Sequence, residues 1–254
     1  MKRWRLFENR PGAYVVGLLA YILALIATAP ATLADAGLQR VSEGRLRLVE
    51  AQGTLWSGTG QLEIRDTGGH TGLAKRLVWR LQPDASLPAR ITYKVELDPG
   101  SRPFTVTAFW SRIEIEHADI SLPALALGLG LPKLAPLELT GEMNLKISNL
   151  SIGRDAARGS AILQWRAAGS ALSPVSPLGD YELRLEGQGS GARATLHTLA
   201  GPLQLDGQAL WASGSKPVFQ VTAHVPSQFR QQLAPFLRLI AVERGEGRFE
   251  LQLQ

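Results

Sequence analysis

The stretch FTVTAFWSRIEIEHADI, Phe104–Ile120, alternates apolar with polar residues on both sides of Ser111. Successive side chains of an extended chain point to opposite faces, so such a strand buries one face and wets the other. The pattern recurs in QLEIRD (Gln61–Asp66), ITYKVELD (Ile91–Asp98), EMNLKISNLSI (Glu142–Ile152), DYELRLEG (Asp180–Gly187), PVFQVTAHV (Pro217–Val225) and GRFELQLQ (Gly247–Gln254). Turn formers separate these runs, among them Asp66-Thr-Gly-Gly, Asp98-Pro-Gly and Gly187-Gln-Gly-Ser-Gly. The alternation predicts an all-β chain: a curved, mainly antiparallel sheet with one apolar face.

Two stretches depart from period two. LPALALGLGL (Leu122–Leu131) and SQFRQQLAPFLRLI (Ser227–Ile240) predict short helices. In the second, Phe229, Leu233, Phe236, Leu237 and Ile240 recur at helical spacing, with Ser227 placed as N-cap. Proline inside a helix costs about 3 kcal/mol, so Pro235 predicts a kink or two short turns near Ala234. The apolar face of this stretch either caps an open end of its own sheet or docks a partner or lipid.

One phrase is written twice. WRLQPDASLPARITYKVEL begins at Trp79 and WRAAGSALSPVSPLGDYELRL at Trp165; GEMNLKI at Gly141 and GEGRFEL at Gly245 close the two series. The second series is longer by about one hairpin, for which GPLQLDGQALWASG (Gly201–Gly214) is the candidate insertion. This order predicts two related half-units, 35–152 and 153–254, with Trp79, Tyr93, Trp165 and Tyr181 on equivalent strands. Chance likeness between alternating strands is the competing reading.

At the amino terminus, Lys2, Arg3, Arg5 and Arg10 against Glu8 place a net +3 in the first ten residues. No charge follows from Pro11 to Ala34. A helix needs roughly 20 residues to cross the hydrocarbon core, and flanking cations stay in the cytoplasm. The expected organisation is a basic tail at 1–12 and a transmembrane anchor at 13–34, with the rest exported. Thr32-Leu33-Ala34 before Asp35 also fits a signal-peptidase site, so a cleaved leader is the alternative.

Composition excludes several function classes. The formal charge of +5 falls to +2 once the tail is set aside, too little for a nucleic-acid footprint. There is no cysteine, hence no disulfide and no thiolate metal site. His70, His117, His197 and His224 have no metal-ligand spacing, and no nucleophile elbow or phosphate loop is present. Glu114 and Glu116 lie on a strand with His117 facing the other way, as on a solvated face. Trp56, Trp79, Trp110, Trp165 and Trp211 have aliphatic neighbours, so core packing is favoured over a stacking row. No catalytic constellation, cofactor or metal is expected.

GTLWSG (Gly53–Gly58), LVWRLQP (Leu77–Pro83), SPLGDYELRLEG (Ser176–Gly187) and GPLQLDGQALW (Gly201–Trp211), in that order behind an anchor, resemble type II secretion system protein N. The resemblance implies an inner-membrane, single-pass component with its bulk in the periplasm, supporting export of folded proteins through an outer-membrane secretin. It implies contacts with other secretion components and brings no catalytic residues. A second resemblance is to AsmA-type β-groove proteins, which implies binding or conduction of lipid. For the partner contact the expectation falls on the closing strand, with Arg248 and Glu250 on its wet face and Phe249 between them. A strand at a sheet edge offers unpaired N–H and C=O groups to another chain. The competing reading is that this strand is paired on both sides.

Overall fold

The computed structural model describes residues 11–66, 71–83, 90–130, 132–153, 156–212, 215, 218–245 and 247–253. The chain opens on α1 (Pro11–Ala27), 17 residues without a charge, and α2 (Thr32–Val41). Among the described residues no helix is long and apolar enough to cross a membrane. Trp4 and His70 lie outside the described residues.

Strands β1 (Leu46–Gly53), β2 (Ser57–Arg65), β3 (Thr71–Gln82), β4 (Arg90–Leu97), β5 (Phe104–Phe109) and β6 (Arg112–Pro123) follow. After α3 (Ala126–Gly130) and a 3₁₀ turn (Pro132–Leu137) come β7 (Leu139–Gly153), β8 (Ala157–Ser170), β9 (Gly179–Gly189), β10 (Gly191–Ala200), β11 (Gln204–Ala212) and β12 (Phe219–His224). A 3₁₀ turn (Ser227–Phe229), α4 (Arg230–Leu237), β13 (Val242–Gly245) and β14 (Arg248–Leu253) complete the chain. The strands form one antiparallel sheet in which sequence neighbours pair from β1 to β12; β14 then joins β12, and β13 lies outermost. β1 and β13 do not pair, so the sheet is open rather than a closed barrel.

Register carries one apolar face along this meander. Trp79 stands opposite Val95, Val95 opposite Phe104, Val106 opposite Ile115, and Ile115 opposite Leu150. Ala161 stands opposite Leu185, Leu185 opposite Ala194, and Ala194 opposite Ala209. Three buried clusters lie along the face. Ala31, Leu48 and Trp79 form the first; Phe104, Ala118, Ile147 and Ala161 the second. The third joins Val221, Ala223 and Phe249 to Leu233, Phe236 and Leu237 of α4.

A meander turns at alternate ends. The connections leaving odd-numbered strands β1 to β11 gather at one end, and those leaving even-numbered strands β2 to β12 at the other. α1 meets the fold at the first end. Trp56 donates its indole N–H to the Ile26 carbonyl at 2.7 Å, Leu55 donates its backbone N–H to Ala29 at 2.8 Å, and Ala31 donates to Gly53 at 3.3 Å.

Several expectations need correction. β3 and β8 run in opposite directions across the sheet, an odd number of strands apart, while Trp79 and Trp165 both face the apolar side. No rotation maps one strand onto the other while keeping both face and strand order, so the tryptophan echo is not a structural repeat. The residues read as an inserted hairpin supply a single strand, β11. The expected boundary at residues 152–153 is the β7–β8 hairpin of a continuous sheet. Leu122 and Pro123 extend β6 rather than a helix, and α3 is correspondingly short. Ser227 makes no side-chain cap and instead starts a 3₁₀ turn; the segment divides at Phe229–Arg230, while Pro235 sits within α4. His117 does not face inward: its φ of +58° steps it out, and Ala118 takes the buried place.

Candidate functional site

An open sheet has two edges on which another chain could add a strand. They are built differently. Along β1 lies α2, joined to it by Asp35. The Leu48 backbone N–H donates to Asp35 Oδ1 at 2.8 Å, Gln39 Nε2 donates to Oδ2 at 2.6 Å, and Arg47 Nη2 donates to Oδ2 at 3.3 Å. Burial pushes the Asp35 carboxyl up, but these donors outweigh it and hold the group below its ordinary range. Pro30 bridges Thr54 at the end of the same edge, and Glu50, with a φ of +52°, lies in a bulge between Val49 and Gln52. This edge is sealed by the chain's own amino-terminal segment.

The opposite edge is β13, four residues long and exposed at every position. It pairs with β14 only from Val242–Glu250 to Gly245–Arg248. Beyond Glu250, β14 has a strand partner on the β12 side alone. The two strands therefore leave a stepped edge open.

Arg248 is exposed and stands opposite His224 of β12. Glu250 is half-buried and accepts a 2.8 Å bond from Arg244 Nε. Both lie on the polar face. Phe249 points the other way, is 0% exposed, and packs in the cluster beneath α4. Two corrections follow. The closing strand is one place in from the edge, because β13 folds back over it. The Phe249 side chain is packed in the core beneath α4 rather than presented at the edge. The residues that do form the edge, Val242–Gly245, escaped the sequence reading because four residues are too few to establish a period.

α4 buries Leu233, Phe236 and Leu237 against its own sheet, which is the capping role. Arg238 at its end donates to Glu243 at 2.8 Å, so the edge strand is tied to the helix that precedes it.

The remaining sequence-predicted residues do not converge. Glu114 accepts from Arg112 at 2.7 Å on the polar face, and Glu116 is exposed. His197 Nδ1 lies 3.5 Å from Asp206 with both side chains open to solvent. Among the described residues no group of three metal-capable side chains assembles. An open cavity of about 580 Å³ on the polar face is lined by Asp119, Asn144, Lys146, Gln164 and Arg166. These side chains bond within the sheet: Asn144 donates to Asp119 at 2.7 Å and Gln164 to Glu182 at 2.9 Å. The Gln164 amide, then Arg184, hold the buried Glu182 carboxyl below its ordinary range. They provide no nucleophile with an adjacent base.

The tryptophans divide. Trp79 is buried and donates to Thr54 and Leu55, Trp165 tilts against Tyr181 at 5.9 Å, and Trp211 against Phe219 at 6.3 Å. Trp110 contradicts the core reading: it is 91% exposed at the β5–β6 turn. The signal was present in the sequence, because adjacent Phe109 and Trp110 cannot both face the same side of a strand.

The chain belongs to the type II secretion system protein N family, whose family model matches residues 44–252. No curated protein and no solved structure matches the chain. The family is that of a type II secretion system component, and the matched region takes in β1 to β13 and all but the last residue of β14.

Proposed function

We propose that the chain is an inner-membrane-anchored periplasmic component of the type II secretion system that supports export through contacts at the open β13/β14 edge. The observation that carries the edge contact is the asymmetry between the two edges. One is closed by α2, Asp35 and the Pro30 bridge; the other presents four exposed residues and an unaccompanied end of β14.

The anchor reading rests on the basic tail before an uncharged helix. The 17 residues of α1, at 1.5 Å each, give about 25 Å. Flanking residues complete a hydrocarbon core of about 30 Å. Retention is favoured over cleavage before Asp35 by what lies just ahead of that bond. Ala31 is buried with Leu48 and Trp79, and Ala29, Pro30 and Ala31 all pair with the β1–β2 turn. Cleavage would strip these contacts from the folded domain. The lipid-conduit reading requires an apolar face left open along its length, whereas three clusters fill much of it with the chain's own side chains.

Photo-crosslinking residues introduced at Val242 and Arg248 in secreting cells test the edge. The expected product joins this chain to another secretion component; capture of its own strands alone would remove the edge from consideration. A reporter enzyme fused after Gln254 is expected to be active only as a periplasmic type, and the mature chain to begin upstream of Asp35.

A further inference from the structure

The end of the sheet from which α1 departs differs in chemistry from the opposite end. The connections leaving β3 and β7 carry Asp84 and Asp155 in the sequence, while those leaving β1, β5 and β9 carry no carboxylate. Exposed at that end are Trp110, Ile113 and Ile152, with Arg112 and Arg158 among them. The Arg112 guanidinium lies 4.1 Å over the Phe109 ring while its Nε donates to Glu114. At the opposite end exposed leucines also occur, Leu172, Leu199 and Leu239, but carboxylates accompany them. Asp66, Asp98, Glu138, Asp180 and Glu243 all lie on or beside its turns.

We infer that the α1 end is a membrane-apposed rim whose exposed Trp110 sits in the headgroup layer of an anionic phospholipid bilayer. Three observations converge on this occupant. α1 is bonded to this end through Trp56, Leu55 and Ala31, so an anchor helix delivers this end and no other to the bilayer surface. An indole with an apolar body and one N–H donor is the side chain that membrane interfaces enrich. Arg158 is exposed at this end and can meet phosphate headgroups, while Arg112 is engaged with Glu114. Trp110 is 91% exposed at the turn tip, with Ile113 and Ile152 of β6 and β7 exposed at the same end. The inference rests on the anchor reading of α1, and its test separates the two.

The chain has no cysteine, so single-cysteine variants of the full chain carry one fluorescent label each. Ser111→Cys reports the rim with Trp110 intact, Leu199→Cys the opposite end, and Leu19→Cys the helix α1. Each is reconstituted in phosphatidylethanolamine–phosphatidylglycerol vesicles containing lipids brominated at shallow or deep acyl positions. The expected result is loss of emission from the residue-19 label with deep quenchers and from the residue-111 label with shallow ones. The residue-199 label should respond only to aqueous iodide. Trp110→Ser in the Ser111→Cys background should return the residue-111 label toward the residue-199 behaviour. If residue 19 is quenched while residue 111 is reached only by iodide, the rim proposal is overturned with the anchor intact. If residue 19 is not quenched, the anchor reading fails, and the rim then stands or falls on the residue-111 signal alone. Quenching at residue 199 in place of residue 111 reverses the orientation and overturns the proposal.

Discussion

Replacing Phe249 by alanine separates a core role from a contact role at one position. The ring is wholly buried, packed among Val225, Leu233, Phe236 and Leu237, and stands opposite Ala223 in register. α4 reaches the sheet through this cluster, so truncation leaves a cavity that the helix cannot close without shifting off β12. A buried phenylalanine truncated to alanine costs about 3–5 kcal/mol. In a chain of this size each kcal/mol moves the thermal midpoint by roughly 2–4 °C, so Phe249→Ala should melt about 6–20 °C lower. Arg248→Ala, one residue away on the wet face at an exposed position, should stay within about 0.5 kcal/mol, roughly 2 °C. Circular dichroism melts of the full chain in detergent read both. A Phe249→Ala midpoint within the Arg248→Ala range, with edge crosslinking lost, would show that the ring meets a partner rather than the core.

Other perturbations follow from the same geometry. A Cβ at Gly58 would meet the Gln52 carbonyl and lie 2.5 Å from Trp79 Cζ2, so Gly58→Ala should cost about 1–3 kcal/mol and alter the near-ultraviolet signal of Trp79. Because the Asp35 carboxyl is held below its ordinary value, its contribution is complete above the unfolded pKa of about 3.9 and disappears as pH falls through the lower folded one. Protection of the Leu48 amide against hydrogen exchange, relative to its intrinsic rate at each pH, should therefore fall in acid, and Asp35→Asn should remove that dependence. Alanine at His117, His197, Glu114 or Glu116 should leave secretion unchanged in cells. The Arg112–Glu114 pair is partly exposed, so its loss should cost no more than about 1 kcal/mol. A secretion defect in any one of these with an unchanged melt would reopen the search for chemistry.

How much of this was legible in the sequence depended on side-chain contrast. β4, β5, β6, β7, β9, β12 and β14 set branched or aromatic residues against polar or charged ones, and their period two reads directly. β10 turns Ala192 and Ala194 to the apolar face against Gly187 and Ala209, so its alternation is nearly invisible. In β8 Ile162 stands on the polar face between Lys146 and Arg184, which blurs the pattern. The bulge at Glu50 breaks β1, and β13 is too short to show any pattern. The polar face of Arg248 and Glu250 was readable from alternation. The order β12–β14–β13 was not, because nothing in a local pattern tells a closing strand that the segment before it will fold over its outer side.

That fold-back also decides which partner the edge can take. Residues directly opposite in an antiparallel pair share a face, so a two-fold pairing of β13 with a second copy must centre on a residue. Centring on Glu243 sets Glu243 against Glu243, and centring on Arg244 sets Arg244 against Arg244; like charges directly opposite are destabilising. Glu243 adds a further barrier, because register with Phe249 places this charge on the apolar face, a recognised protection of exposed edges. These two registers are therefore disfavoured for a second copy, while the backbone of the edge stays open to a different chain with charges to match. Replacing Glu243 and Arg244 together by valine should lift the block, and the full chain in detergent should then sediment as a dimer where the parent sediments as a monomer. A parent chain that already crosslinks to itself through Val242 would defeat this argument.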